Sequence, residues 1–144
     1  MYSRHLQRQV KLTIISTPMP DDKTEMNLLL MNDGQEFRQL RIKEIVDSLY
    51  SKNLIKSLLI VGIHAGDRMK EYGVADYPDF NNRGDRAGYY DKFVADELYF
   101  FAKKNATVRK FIVVTCFITT VIKIRIICNT IFLHPVAGMN TNYQ

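Results

Sequence analysis

Three short groups of residues have types and spacings suited to chemistry, and the first of them ends an apolar run. Gly62-Ile-His64-Ala-Gly66 has the spacing of a nucleophile elbow, G-x-S-x-G, with histidine where serine belongs. Histidine cannot take the place of the hydroxyl in ordinary acyl transfer, and no G-x-S-x-G occurs anywhere in the sequence. We therefore interpret this group as a strand end with glycines that allow a sharp exit.

The second group, Asn32-Asp33-Gly34-Gln35, follows an apolar run and precedes a segment with helical spacing. Backbone N–H groups in such a position can point at an anion, or at an oxygen that gains charge in a transition state. Asp-Gly is also an ordinary turn signal. At this point a turn and a site for an oxyanion both remain open.

The third group is Arg68, Glu71 and Tyr72, which stand as R-x-x-E-Y after the apolar run. These side chains can bind a carboxylate or carbonyl group of a ligand. They can equally form a solvated loop with one ion pair.

The elements that position these groups follow from hydrophobic spacing. Gln9–Ile14 alternates and predicts a half-exposed strand, and Met26–Met31 predicts a more buried strand, antiparallel to the first because the connection is short. Apolar spacing from Phe37 onward predicts a helix of about four turns that ends near Ser51. Leu58–Ile63 then reads as a strand buried on both faces, parallel to Met26–Met31.

The second half of the region predicts a loop, a helix and a strand. Gly66–Gly88 has no apolar period, and a loop of this length in a compact domain is usually functional. Tyr89–Lys104 returns to helical spacing, with an apolar stripe that includes Tyr90 and Leu98. A third parallel strand is expected to begin near Lys110.

Composition and charge exclude several classes. The net charge of +5 is spread along the chain without a basic stripe or binding motif, so we predict no nucleic-acid partner. Because the N-terminus lacks the apolar core of a secretory signal, a cytoplasmic protein is expected. The histidines are scattered and Cys116 and Cys128 lie far apart, so we predict no metal site, and we predict no cofactor.

The composition changes abruptly near Lys110. All 15 acidic residues precede it, and both cysteines follow it. We therefore predict two parts, residues 1–111 and a divergent tail of residues 112–144. The β-branched composition of the tail favours strand over membrane helix, and a helix over Phe111–Ile122 would span only about 18 Å of a hydrocarbon core of about 30 Å. A membrane anchor formed by residues 111–128 remains an alternative.

Taken in order, the segments LLLMNDGQEF, LLIVGIHAGDRMKEY and NNRGDRAGYYDKFVADEL resemble an esterase family of α/β hydrolases. It is the group that contains esterase D-like and enterochelin esterase-like enzymes. The resemblance covers roughly Ser3–Phe111. It implies an α/β fold: an incomplete three-layer sandwich of the α/β-hydrolase type, with an N-terminal hairpin and parallel strands, cut off before the nucleophile strand.

The resemblance also implies a function and site residues. It implies a serine hydrolase for carboxylic esters, with Gly34 and Gln35 in the oxyanion-hole region. It places Arg68, Glu71 and Tyr72 in the loop on the substrate side of the cleft. Since G-x-S-x-G is missing where the family would have it, we expect an inactive fragment, produced by truncation or a frameshift.

The expected partner is a small ester or acyl compound. A non-catalytic protein that binds such a ligand is the alternative within the same fold. An incomplete sheet would also leave an open edge, through which self-association is expected.

Overall fold

The computed structural model of the protein describes residues 1–19, 25–73, 78–106 and 110–117. These residues form a four-stranded mixed sheet with helices on both faces, and a small N-terminal hairpin. The strands are β1 Tyr2–Ser3, β2 Arg8–Gln9, β3 Leu12–Ser16, β4 Glu25–Asn32, β5 Leu58–Ile63 and β6 Lys110–Phe117. The helices are α1 Ile42–Ser51, α2 Arg68–Glu71, α3 Ala87–Lys92 and α4 Tyr99–Asn105, with a 3-10 turn at Gly34–Glu36 and a π-helical turn at Phe93–Leu98.

The strand order in the sheet is β3-β5-β4-β6. β4 and β5 pair in parallel, from Asn27 opposite Leu58 to Asn32 opposite Ile63. β6 runs parallel to β4 on its other side. The predicted strand–helix–strand unit and the predicted third parallel strand are both confirmed.

The predicted hairpin between β3 and β4 is wrong. β3 lies beside β5, antiparallel to it, from Leu12 opposite Ile63 to Ser16 opposite Leu59. Residues Leu59–Ile63 are all buried, which suits a strand with a neighbour on each side, whereas β3 exposes 52% of Ile14 and suits an edge. Within β3, Ile15 is buried and Ile14 is exposed.

The first predicted helix is shorter than expected. Arg41 has a φ of 53°, in the left-handed region, which a continuous right-handed helix does not contain. α1 therefore begins only at Ile42 and ends at Ser51, close to the predicted end. Phe37 lies in the turn before α1, where its side chain is buried, and the side chain of Leu40 is exposed.

The second predicted helix is confirmed in outline, and it runs from Ala87 to Asn105 as α3, the π-helical turn and α4. Tyr90, Phe93 and Leu98 are completely buried, as their stripe predicts. Hydrogen bonds in a π-helical turn join positions that are five apart, and Phe93 and Leu98, which have this separation, face the same core.

The two faces of the sheet carry separate cores. On one face, α3, the π-helical turn and α4 cover the side chains of Met26, Leu28, Leu30, Val61 and Ile63. On the other face, α1 and the 3-10 turn cover Ile15 and Ile60 with Phe37 and Val46. The described residues thus form three layers, helix on sheet on helix.

The segment 66–88, predicted as a loop without elements, contains α2. The Asp67 carboxylate caps this helix by accepting hydrogen bonds from the N–H groups of Met69, at 3.1 Å, and the next residue. The chain later returns to α2, where the N–H of Gly84 donates to the carbonyl of Met69 at 2.7 Å. Gly84 has a φ of 82°, which favours glycine.

Several predictions fall wholly or partly outside the described residues. The predicted boundary at residue 111 lies inside β6, and residues 118–144 of the predicted tail are not among those described. No helix formed by the described residues is long and apolar enough to cross a membrane. The division into two parts, the anchor at 111–128 and self-association through a sheet edge stay predictions.

Candidate functional site

The candidate site lies where β4 and β5 end side by side. Asn32 and Ile63 are paired at the last position of the two strands, so Asp33-Gly34 and His64 leave the sheet at the same edge. The 3-10 turn that starts at Gly34 crosses directly over β5. A Cβ atom on Gly34 would stand 2.5 Å from the carbonyl carbon and oxygen of Gly62. Two glycines therefore allow this turn to rest on the end of the central strand.

Three side chains of the site donate hydrogen bonds to the carboxylate of Asp33. Its backbone is left-handed, with a φ of 58°, and it precedes the 3-10 turn. Its Oδ1 accepts hydrogen bonds from Nε of Arg68 at 2.9 Å, Nε2 of Gln35 at 3.0 Å and the hydroxyl of Tyr72 at 3.4 Å. The sequence identified Asp33 only as part of a turn, and the Asp-Gly signal contains no information about these distant partners.

Gln35 fixes the turn to the loop after β5. Its Nε2 donates to Asp33, and its Oε1 accepts from the N–H of Ala65 at 3.1 Å. Within the described part of the chain, the N–H groups of Gly34 and Gln35 have no acceptor.

Arg68 and Tyr72 meet Asp33 from α2 and the residue after it. An Arg68 terminal nitrogen lies 2.8 Å from Asp33 and 3.7 Å from Glu36, and the hydrogen bond and charge of Asp33 raise the pKa of Arg68. Burial and the Asp33 carboxylate raise the pKa of Tyr72 to about 12. The tyrosine is therefore a neutral hydrogen-bond donor at any ordinary pH.

Glu71 has a different environment from the two residues predicted with it. It is completely buried, and both of its carboxylate oxygens accept hydrogen bonds from the guanidinium group of Arg8. The structure therefore brings Gly34, Gln35, Arg68 and Tyr72 together around Asp33. The Glu71 carboxylate binds Arg8 in place of joining this group.

Tyr90 supports the site from the core, and the sequence did not single it out for the site. The hydroxyl of the buried Tyr90 donates to Oδ1 of Asn32 at 2.7 Å. The Tyr90 ring meets that of Tyr72 edge to face, with centroids 5.6 Å apart. The helical stripe predicted Tyr90 as a core residue, and no local pattern indicates that its hydroxyl reaches the end of β4.

His64, at the centre of the G-x-H-x-G group, is held against the edge strand. Its Nε2 lies 2.8 Å from the hydroxyl of Thr13, and its N–H donates to the carbonyl of Lys11 at 3.0 Å. Burial, together with the charge of Lys11, lowers the pKa of His64. This placement agrees with the interpretation of the group as a strand end.

The described residues contain no group of three or more His, Cys, Asp or Glu side chains that could hold a metal ion.

Residues 3–115 match a family model described as "Putative esterase". The chain belongs to this esterase family. No curated protein shows significant similarity to the sequence.

Solved structures resemble this esterase-family chain over about four-fifths of its length. An uncharacterised protein from Capnocytophaga ochracea DSM 7271 matches with a TM-score of 0.61 at 14% identity, over 81% of this chain and 31% of that one. The BES protein from Bacillus cereus matches with a TM-score of 0.56 at 21% identity, over 79% and 48% of the two chains. The siderophore hydrolase EstA from Aspergillus nidulans gives a TM-score of 0.46 at 10% identity, over 76% and 49%.

This esterase-family chain thus spans between about a third and a half of the length of these solved chains. At such identities the first two matches show the fold alone. They show that the arrangement of the sheet and its flanking helices also occurs in other solved structures.

Proposed function

We propose that this chain forms the acyl-binding part of an esterase cleft and that the two amides of Gly34 and Gln35 receive the carbonyl or carboxylate oxygen of a small ester or acyl compound. The observation that carries the proposal is that both N–H groups lack an acceptor among the described residues and lie at the carboxyl edge of the sheet. Backbone donors held in a fixed direction are what stabilises an oxygen that gains charge in acyl transfer. Membership of the esterase family supports the same assignment.

The side chains around the turn suit a small polar ligand. Arg68 is half exposed and carries a positive charge beside the turn, and Tyr72 supplies a hydroxyl. The Arg68 charge is already offset by Asp33 and the nearby Glu36, so the donors left for a ligand oxygen are the two backbone amides. The proposed ligand class is therefore short acyl compounds, either as esters or as free acids.

We further propose that this chain by itself hydrolyses no ester. The family route needs a hydroxyl nucleophile activated by a base. All five serines, Ser3, Ser16, Ser48, Ser51 and Ser57, precede β5, and none stands between two glycines as an elbow requires. The one group with elbow spacing carries His64, whose ring is bound to Thr13.

The experiment is labelling of the purified protein with a fluorophosphonate probe, together with hydrolysis of nitrophenyl butyrate, and an active serine esterase as positive control. We expect no labelling and no serine-dependent turnover. Any residual hydrolysis should survive each Ser→Ala change and fall in Gly34→Pro, which distorts the amide turn. Stoichiometric labelling at one serine would overturn the proposal that the chain is inactive.

A further inference from the structure

The strongest feature outside the amide turn is a partly buried ion pair between the N-terminal hairpin and α2. Nε of Arg8 donates to Oε1 of Glu71 at 2.7 Å, and a terminal nitrogen donates to Oε2 at 2.6 Å. The other terminal nitrogen donates to the carbonyl of Gln9 at 3.1 Å. This is a two-pronged arginine–carboxylate pair, which fixes direction as well as distance.

Gly66 leaves the space in which the Arg8 guanidinium lies. A Cβ atom on Gly66 would stand 2.6 Å from Cζ, Nε and a terminal nitrogen of Arg8. The guanidinium is therefore bounded by the Gly66 backbone and by the Glu71 carboxylate. Arg8 of β2 thus contacts both ends of the segment 66–71, which comprises the residues just before α2 and α2 itself.

That segment carries the side chains that hold Asp33. Arg68 and Tyr72 stand three positions before and one position after Glu71, and both hydrogen-bond to Asp33. α2 has only four residues, and a helix of that length is not stable by itself in water. Its orientation depends on contacts from outside, and one of them is the Arg8–Glu71 pair, in which the Glu71 side chain is only 2% exposed.

We propose that Arg8 and Glu71 are positioning residues for the amide turn at Gly34 and Gln35. They orient α2, α2 presents Arg68 and Tyr72 to Asp33, and Asp33 sets the turn whose N–H groups face the ligand. The consequence for binding rests on the proposed function, whereas the mechanical coupling from Glu71 to the turn does not.

The test is a comparison of the ¹⁵N amide resonances of Gly34 and Gln35 in the whole protein and in Glu71→Gln. Glu97→Gln is the matched control, because Glu97 is also a glutamate that binds the N-terminal segment, through the N–H of Arg4 at 2.9 Å, and its side chain is only 7% exposed. The hydrogen bond and the ion pair of Glu97 with Arg4 do not involve α2. We expect Glu71→Gln to shift both amide resonances and Glu97→Gln to leave them in place.

Binding is measured in the same samples by titration with butyrate. If one of the two amide hydrogen bonds is lost, affinity should fall by about 2- to 12-fold in Glu71→Gln and be unchanged in Glu97→Gln. A purely structural role would lower the stability of both variants without singling out the two amides. If butyrate shifts neither amide in the wild-type protein, the proposed ligand site fails, while the ligand-free comparison still decides the coupling.

Arg8→Lys is the second variant, for the case in which Glu71→Gln does not fold. It keeps the positive charge and removes the two-pronged geometry. We expect the Gly34 and Gln35 resonances to shift in it as well. Wild-type positions for both amides in a folded Glu71→Gln or Arg8→Lys protein would overturn the inference.

Discussion

Replacing Gly34 by alanine places a methyl group where the end of β5 already lies. The new Cβ would stand 2.5 Å from the carbonyl carbon and oxygen of Gly62 and 2.9 Å from its Cα. Nonbonded carbon atoms prefer about 3.5–4.0 Å, so the turn and the strand must separate by about 1 Å. The φ of Gly34 is outside the left-handed region, so the effect of the change is steric alone.

The cost is expected near the upper end of the range for overpacking. β5 is hydrogen-bonded to β3 on one side and β4 on the other, so it cannot retreat without breaking a ladder. The atoms in the way belong to the backbone, and no side chain can rotate to make room. Overpacking costs about 1–3 kcal/mol, and we expect Gly34→Ala to lose about 3 kcal/mol of unfolding free energy.

The assay is urea unfolding followed by circular dichroism. With a denaturant slope of about 2 kcal/mol per M, the expected loss lowers the midpoint by about 1.5 M. Lys43→Ala is the control, since it removes only an exposed ion pair with Asp47, at 2.6 Å, and should change stability by about 0.5 kcal/mol or less. A midpoint for Gly34→Ala equal to that of the control would refute the close packing of the turn on β5.

Two further predictions concern protonation at the site. Burial, and after it the Asp33 carboxylate, raises the pKa of Tyr72 to about 12, against about 10 in an unfolded chain. The neutral tyrosine therefore stabilises the fold fully below about pH 10, and this contribution should decline as the pH rises toward 12. Urea unfolding across that range should show this decline in the wild-type protein and a smaller one in Tyr72→Phe; equal declines would contradict it. The pKa of His64 lies below its ordinary value because of burial and then Lys11, so its contribution to stability is present above about pH 6.5 and is lost as the pH falls through the lowered pKa. NMR titration of the imidazole should show the low pKa, and Lys11→Gln should raise it; no change in Lys11→Gln would exclude the lysine as a cause.

The site illustrates how far local patterns reach. Gly34 and Gln35 were identified because an Asp-Gly turn after a buried strand has a recognisable composition, and Arg68 and Tyr72 because they follow the next buried strand. The patterns did not indicate that the Asp33 carboxylate binds Gln35, Arg68 and Tyr72. Its partner Arg68 lies 35 positions away along the chain, and nothing in either segment specifies the other.

The sequence by itself determined the two buried parallel strands, the outline of the longer helices and part of the strand pairing. Continuous apolar runs predicted β4 and β5 as buried parallel strands, and helical spacing predicted the stripe with Tyr90 and Leu98. These features are local, because burial of one face imposes a period on neighbouring residues. The resemblance over the same residues also agrees with the esterase family match.

Only the tertiary structure decided the strand order and the support of the site. A short connection permits β3 to lie beside β4, but β5 takes that place because it is buried on both faces and β3 is not. The pairing of Arg8 with Glu71 spans 63 positions. Hydrophobic spacing shows that a residue is buried, but it does not show which residue lies against it. The strand order and the Arg8–Glu71 pair are therefore fixed only when the layers pack together.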